Sequence, residues 1–80
     1  MIPIRSLQDL GQSLRNARRA KKMTQTELAA LAGIQPHHIS NIENGLTNPT
    51  AATLFTLTAA LDLDWQIVPR KAGAGIEDIF

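Results

Sequence analysis

The chain has no cysteine among its 80 residues. This absence excludes a disulfide framework and a thiolate metal site, and it is typical of a reducing compartment. No apolar run approaches the roughly 20 residues that a membrane helix needs, and the first residues lack the hydrophobic region of a signal peptide. We therefore expect no membrane partner and a cytosolic location.

Groups with catalytic potential are also scarce. His37 and His38 are the only histidines, and adjacent helical residues point about 100° apart, so the two rings do not converge on one metal. We find no nucleophile–base pair and no glycine-rich phosphate loop. The sequence predicts a non-enzyme without a metal or cofactor.

The net charge of +1 is small, but the charges are unevenly distributed. Four of the seven acidic residues follow residue 61, whereas basic residues concentrate near the first predicted helix. The basic end can therefore face phosphate while the acidic end faces elsewhere. For Lys21 and Lys22, an ordinary solvated surface with favourable charge at a helix C-terminus is an equal alternative. The basic residues in or just beyond this helix are Arg5, Arg15, Arg18, Arg19, Lys21 and Lys22.

A short helix is predicted to begin after Thr24. Thr24 and Glu27 have the spacing of a capping box, and Gln25 then lies in the first turn, with its amide facing outward where an anion is favoured. Gly33 ends this helix in a left-handed turn, and Ile34 fills the turn as an apolar plug.

A second short helix is predicted to begin near Gln35 and Pro36, with Ile39 and Ile42 facing the core. Two helices joined by a sharp turn fit the DNA major groove, which predicts a DNA reader. The residues left outside contain no Lys or Arg, so bases would be read by amide, imidazole and hydroxyl groups. This recognition face comprises Gln35, Pro36, His37, Ser40, Asn41 and Asn44.

Two further helices form a scaffold. Ser6 is predicted to cap the first, in which Leu7, Leu10, Leu14 and Arg18 recur at helical spacing. Thr50 is predicted to cap a fourth helix that runs to about Leu61, with Leu54, Leu57 and Leu61 toward the core.

Between the third and fourth helices, Thr47 and Asn48 are either phosphate contacts or plain turn formers. Phe55 lies beside the apolar stripe of the fourth helix and could meet a second subunit. A domain of this size buries only about 60–65% of its unfolded surface, and a dimer would supply more burial.

After the fourth helix, Leu63, Trp65 and Ile67 alternate with polar residues, which favours a strand that Pro69 ends. A lone strand is not stable, so it would pair with the same strand of a two-fold mate. The alternative is a fifth short helix over 63–68.

The run TQTELAALAGIQPHHISNIENG resembles the helix-turn-helix of the phage-repressor-like (Cro/C1, XRE) family, over about residues 7–64. The resemblance implies an all-α, lambda-repressor-like four-helix fold that binds double-stranded operator DNA. It implies a phosphate or base-edge contact for Gln25, and base contacts for Gln35, Pro36, His37 and Asn41.

The same resemblance implies a partly buried bidentate pair between Arg18 and Glu43. Gln35 departs from the family, in which Ser or Thr often caps the third helix, because glutamine is a poorer cap.

The segment LDLDWQIVPR resembles HipB-type antitoxins, which pair through a small intersubunit sheet and neutralise a HipA-type serine/threonine kinase toxin. This implies a homodimeric antitoxin of the bacterial cytosol or nucleoid that represses its own operon. The alternatives are a stand-alone XRE-type repressor and the antitoxin of a ribosome-dependent RNase toxin.

We divide the chain into a DNA-binding domain (1–62), a dimerisation strand (63–70) and a flexible tail (71–80). The tail ends in Ile79 and Phe80, which either dock into a pocket on the partner or remain a frayed terminus.

Overall fold

The computed structural model describes residues 3–69 and contains four α-helices in that range. This confirms the predicted all-α, four-helix fold. The helices are α1 (Leu7–Ala20), α2 (Gln25–Ala32), α3 (Pro36–Glu43) and α4 (Ala51–Ala60).

Three helices begin at the predicted caps. The Ser6 side chain accepts from the Asp9 backbone N–H, and Thr50 does the same for Thr53. At α2, Thr24 Oγ1 accepts from the Glu27 N–H at 3.0 Å, while Glu27 Oε1 accepts from the Thr24 N–H at 2.8 Å. The capping box is therefore complete, which fixes the start of α2.

The turn between α2 and α3 follows the prediction. Gly33 has φ +71°, a left-handed conformation that costs little without a Cβ. The Ile34 N–H then donates to the Ala29 carbonyl at 2.9 Å, and the Ile34 side chain packs partly buried against the core. Gln35 makes no side-chain cap, as its residue type indicated, and Pro36 opens α3.

Helices α2 and α3 form the middle of the packing. They contact each other, α1 packs against α3, and α4 packs against α2. The buried apolar core is contributed by all four helices and the residue that follows α4: Leu10, Leu14, Leu28, Ala29, Ile39, Ile42, Leu57 and Leu61.

The apolar stripe of α1 is shorter than predicted. Leu7 is 39% exposed, so the buried part begins at Leu10. The first turn of α1 lies next to the end of α3, where the chain turns after Glu43 and Gly45 lies beside Gln8.

Residues 63–69 form neither a helix nor a strand in the single chain. The alternative of a fifth helix is therefore wrong, whereas strand pairing with a second copy stays a prediction. Within 3–69, no helix combines the length and apolarity needed to cross a membrane.

Candidate nucleic-acid interface

The outer side of α3 carries the predicted recognition face. Ile39 and Ile42 are buried at 1% and 2% exposure and hold the opposite side of the helix against the core. Gln35, Pro36, His37 and Asn44 are exposed, and Ser40 and Asn41 are half-buried. His37, Asn41 and Asn44 are four and three residues apart, so they lie along one helix face.

A buried ion pair anchors the end of α3. Arg18 Nε donates to Glu43 Oε2 at 2.7 Å, and Arg18 Nη2 donates to Glu43 Oε1 at 3.0 Å. Both residues are buried, which confirms the predicted bidentate pair. The remaining Arg18 nitrogen, Nη1, donates to the Met23 carbonyl at 2.8 Å, so the same side chain also holds the loop before α2.

Glu43 receives two further hydrogen bonds that the sequence did not predict. Arg15 Nε donates to Oε1 at 3.3 Å, and Gln25 Nε2 donates to the same oxygen at 3.0 Å. Within residues 3–69, no buried side-chain nitrogen or oxygen lacks a hydrogen-bond partner. The carboxylate therefore joins α1, α2 and α3 in one fully satisfied network.

The network decides the charge of Glu43. Burial acts to raise the pKa of this carboxyl, but the hydrogen bonds from Arg18, Gln25 and Arg15 and the Arg18 charge outweigh it, and the pKa lies below its ordinary value. The pKa of Arg18 is raised, chiefly by its hydrogen bond to Glu43, against the opposing effect of burial.

Gln25 differs from its predicted orientation. We expected its amide to face outward, but the residue is half-buried and its Nε2 points at Glu43. The buried carboxylate is a strong acceptor within reach of the first turn of α2, and it draws the amide inward. A contact between Gln25 and phosphate stays a prediction.

Arg15 links this buried network to the recognition face. Its Nη2 donates to Asn44 Oδ1 at 2.6 Å. The sequence showed Arg15 only as one of several basic residues near the first helix, since nothing in the spacing of positions 15 and 44 indicates that they meet.

The turn after α3 places the other predicted contacts. Thr47 is half-buried and Asn48 is exposed, and their roles as phosphate contacts stay predictions. The expected separation of a basic end from an acidic end does not hold at Lys21. The Lys21 Nζ lies 2.6 Å from Asp62 Oδ2, so a residue of the acidic end lies beside the basic cluster. This ion pair is exposed, so it contributes little to stability.

The predicted dimerisation residues form an apolar surface beside α4. Phe55 is 59% exposed, Trp65 44% and Ile67 fully exposed, while Leu63 is 39% exposed. The Trp65 ring meets Phe55 edge to face at 6.0 Å between centroids, and its Nε1 donates to Thr58 Oγ1 at 2.9 Å. Trp65 is thus held on its own chain, and its role in a dimer stays a prediction.

The predicted partner-binding residues Ile79 and Phe80 lie outside the described residues. Among residues 3–69, no group of three or more His, Cys, Asp or Glu side chains could hold a metal ion.

Comparison with known proteins agrees with this geometry. The helix-turn-helix family model HTH_3 matches residues 14–68, most of the chain. The chain therefore belongs to the XRE-type helix-turn-helix family of transcriptional regulators, a DNA-binding fold, and this confirms the prediction that it is not an enzyme.

Within that family the chain is similar to HipB. It is 34% identical over 62 residues to the antitoxin HipB of Escherichia coli K12, covering 78% of this chain and 70% of HipB. A chain of the HipA-HipB-O2-O3 complex superposes with a TM-score of 0.79 at 32% identity, covering 89% of this chain and all of that one.

Other relatives are regulators of different length. An uncharacterised HTH-type transcriptional regulator of Sinorhizobium fredii, y4dL, is 43% identical over 68 residues, which is 85% of this chain and 35% of that protein. The chain spans between a third and a half of the first two curated relatives that it matches. The restriction-modification controller C.AhdI of Aeromonas hydrophila has a TM-score of 0.71 at 34% identity, covering 72% of this chain and 88% of that one.

Proposed function

We propose that the chain binds operator DNA in a sequence-specific manner by placing the N-terminal half of α3 in the major groove. The observation that carries this proposal is the division of α3 into two sides. Ile39, Ile42 and Glu43 fix the inner side through the core and the buried ion pair. The outer side presents amide, imidazole and hydroxyl groups, which can read base edges.

The experiment selects duplexes from a random-sequence library with the purified chain and measures the affinity for the selected duplex and for a scrambled one. Sequence-specific binding requires the affinity for the selected duplex to be well above the affinity for the scrambled one. Affinities for specific sites typically exceed those for non-specific DNA by a factor of about 10³ or more. Equal affinities at matched salt would refute the proposal.

We further propose that the chain is an antitoxin that represses its own operon and holds a HipA-type serine/threonine kinase inactive in a complex. Support comes from the likeness to HipB, which covers 78% of this chain and 70% of HipB in sequence. One of the similar structures, which matches 89% of this chain, is a HipA-HipB-O2-O3 complex. On this proposal Ile79 and Phe80 dock onto the kinase, and the complex resides in the bacterial cytosol or nucleoid.

Purification of the tagged chain from its own host tests the antitoxin role. We expect a stoichiometric kinase whose phosphorylating activity falls when the chain is added back. Removal of residues 72–80 should weaken this complex and spare DNA binding. A kinase that is equally active with and without the chain would refute the antitoxin role while leaving DNA binding intact.

The second candidate is a stand-alone repressor. It is favoured by the identity of 35% over 68 residues to the HTH-type transcriptional repressor RghR of Bacillus subtilis, although the chain covers only half of that protein. A stand-alone repressor would purify from its host without a kinase and would still bind its selected duplex.

A further inference from the structure

The contact between Arg15 and Asn44 fixes which half of the Asn44 amide points away from the protein. A guanidinium has only hydrogen-bond donors, so the Asn44 atom that faces it at 2.6 Å must be the carbonyl oxygen. The amide nitrogen of Asn44, Nδ2, therefore points away from Arg15. Asn44 Nδ2 donates one of its two N–H groups to Ser40 Oγ at 3.5 Å, which leaves the second N–H group for a ligand.

Arg15 is itself held in place. Its Nε lies 3.3 Å from Glu43 Oε1, and its side chain is only 24% exposed, whereas the Glu43 side chain is 1% exposed. Because Arg18 and Gln25 already fix the Glu43 carboxylate, the guanidinium of Arg15 has a rigid base from which to orient Asn44.

This orientation restricts what Asn44 can recognise. An asparagine reads adenine bidentately by accepting from N6 and donating to N7, and it needs both ends of its amide to do so. The Asn44 oxygen is turned toward Arg15, so the end of the amide that points away from the protein is the N–H donor. A donor fits an acceptor, and DNA phosphate oxygens are acceptors only.

The position of Asn44 also favours phosphate over bases. It is the residue that follows the last residue of α3, whereas a recognition helix reads bases with its N-terminal residues. The side chain is exposed at the end of the helix, next to the turn that carries Thr47 and Asn48.

We propose that Arg15 is a positioning residue that locks Asn44 as a hydrogen-bond donor to a DNA phosphate, and that Asn44 therefore sets the register of α3 rather than reading a base. This inference rests on the proposed DNA binding. It assigns Arg15 an indirect role: the residue acts on DNA through Asn44 and not through its own charge.

A double-mutant cycle with the full chain tests the assignment. The probes are the duplex selected from the library and a scrambled duplex of the same length. The variants are Arg15→Met, Asn44→Ala and the double variant, with Arg19→Met as the control because Arg19 is an exposed arginine on the same helix and its loss removes the same charge.

We expect Asn44→Ala to weaken binding to both duplexes by about tenfold, the size of a hydrogen bond to a charged group. Arg15→Met should weaken binding clearly more than Arg19→Met when Asn44 is present. In the Asn44→Ala background, Arg15→Met should weaken binding no more than Arg19→Met does. Thermal melting of each variant shows whether it is folded.

The salt dependence separates positioning from direct contact. If Arg15 contacted a phosphate itself, Arg15→Met would reduce the slope of log affinity against log salt by about 0.9 more than the control. Arg15→Met would also weaken DNA binding by the same factor whether or not Asn44 is present. Either result, in a folded variant, overturns the inference.

Asn44→Asp provides a second test that keeps the Arg15 contact. The carboxylate still accepts from Arg15, but the outward N–H is replaced by an oxygen that repels phosphate. We expect a larger loss on both duplexes than for Asn44→Ala. Equal binding by Asn44→Asp and the wild type would overturn the inference, while a wild-type chain that binds no duplex would overturn the proposed function and this inference with it.

Discussion

Gly11 of α1 lies directly against the backbone carbonyl oxygen of Ile42, near the end of α3. A Cβ at position 11 would come closer to the carbonyl oxygens of Ile42 and Glu43 than real Cβ atoms do, and both are backbone atoms that cannot swing aside. The approach of the two helices therefore depends on the missing side chain. It also brings Arg15 and Arg18, further along α1, beside Glu43.

Gly11→Ala is expected to lower the free energy of unfolding by about 1–3 kcal/mol, because the added methyl forces α1 and α3 apart. Urea denaturation followed by circular dichroism measures the change. Gln12→Ala is the control, since it alters an exposed neighbour and should stay within about 0.5 kcal/mol of the wild type. A Gly11→Ala variant as stable as this control would contradict the close contact.

Replacement of Arg18 by Met with Glu43 retained is expected to cost about 3–5 kcal/mol, because the buried carboxylate loses its main partner. The Met23 carbonyl also loses a donor. In the double variant Arg18→Met, Glu43→Leu no buried charge is left unpaired, and we expect much of the lost stability to return. Equal instability of the single and double variants in urea denaturation would show that the uncompensated charge is not the cause.

The depressed pKa of Glu43 makes the stability depend on pH. The folded state binds this proton less readily than the unfolded chain, in which the pKa is about 4.5. The contribution of the carboxylate is therefore fully present above that value and is lost as the pH falls through the folded-state pKa.

The comparison that isolates this effect is the wild type against Glu43→Gln. We expect the difference in their free energies of unfolding to be largest above about pH 5 and to shrink below about pH 4, as both side chains become neutral. Urea denaturation at a series of pH values measures it. A difference that is constant over this range would show that Glu43 is not the titrating group.

Asn41→Ala is expected to weaken binding to the selected duplex by about 1–3 kcal/mol and to relax the base preference at one position of the site. Binding to the scrambled duplex should change much less, because the wild-type chain makes no specific base contacts with that duplex.

Gln35→Ala is expected to have the same effect at a different position of the site. Thr56→Ala, an exposed change on α4, is the control. If both recognition-face variants bind the two duplexes as the wild type does, the assignment of this face is wrong.

Ile67→Asp is expected to convert the predicted dimer into a monomer. Ile67 is fully exposed on the single chain, so the change should not affect the fold of the four helices. In a strand that pairs across a two-fold axis, however, it would place like charges near each other at the interface.

Sedimentation velocity measures the oligomeric state of the Ile67→Asp variant, with Gln66→Asp as a control of equal charge at the neighbouring position. Trp65→Asp should also break the dimer, although it removes the contacts to Phe55 and Thr58 as well. A wild-type chain that sediments as a monomer would refute the predicted strand pairing.

Local sequence signals predicted much of the fold. Ser6, Thr24 and Thr50 each carry the hydroxyl that satisfies a free N–H at a helix start, and Gly33 permits the left-handed turn before α3. These interactions span four residues or fewer, so the sequence contains all that is needed to predict them. The spacing of Ile39 and Ile42 likewise determined which side of α3 is buried and which residues form the recognition face.

The buried pair of Arg18 and Glu43 belongs to a different category. Its partners are 25 residues apart, and the family resemblance rather than any local pattern implied it. The structure added Arg15 and Gln25 to the same carboxylate, and it turned Gln25 inward where the sequence favoured an outward amide. Leu7 shows the same limit in the core, since helical spacing cannot tell where the neighbouring helix ends.

The sequence by itself determined the four helices, their caps, the turn between α2 and α3, and the polar character of the outer face of α3. Only the tertiary structure decided that Gly11 lets α1 approach α3, that Arg15 reaches Asn44, and that Trp65 folds back on Thr58. The physical reason is range: caps and turns are closed within one or two helical turns of chain, whereas the orientation of an amide depends on which donor a distant segment brings beside it.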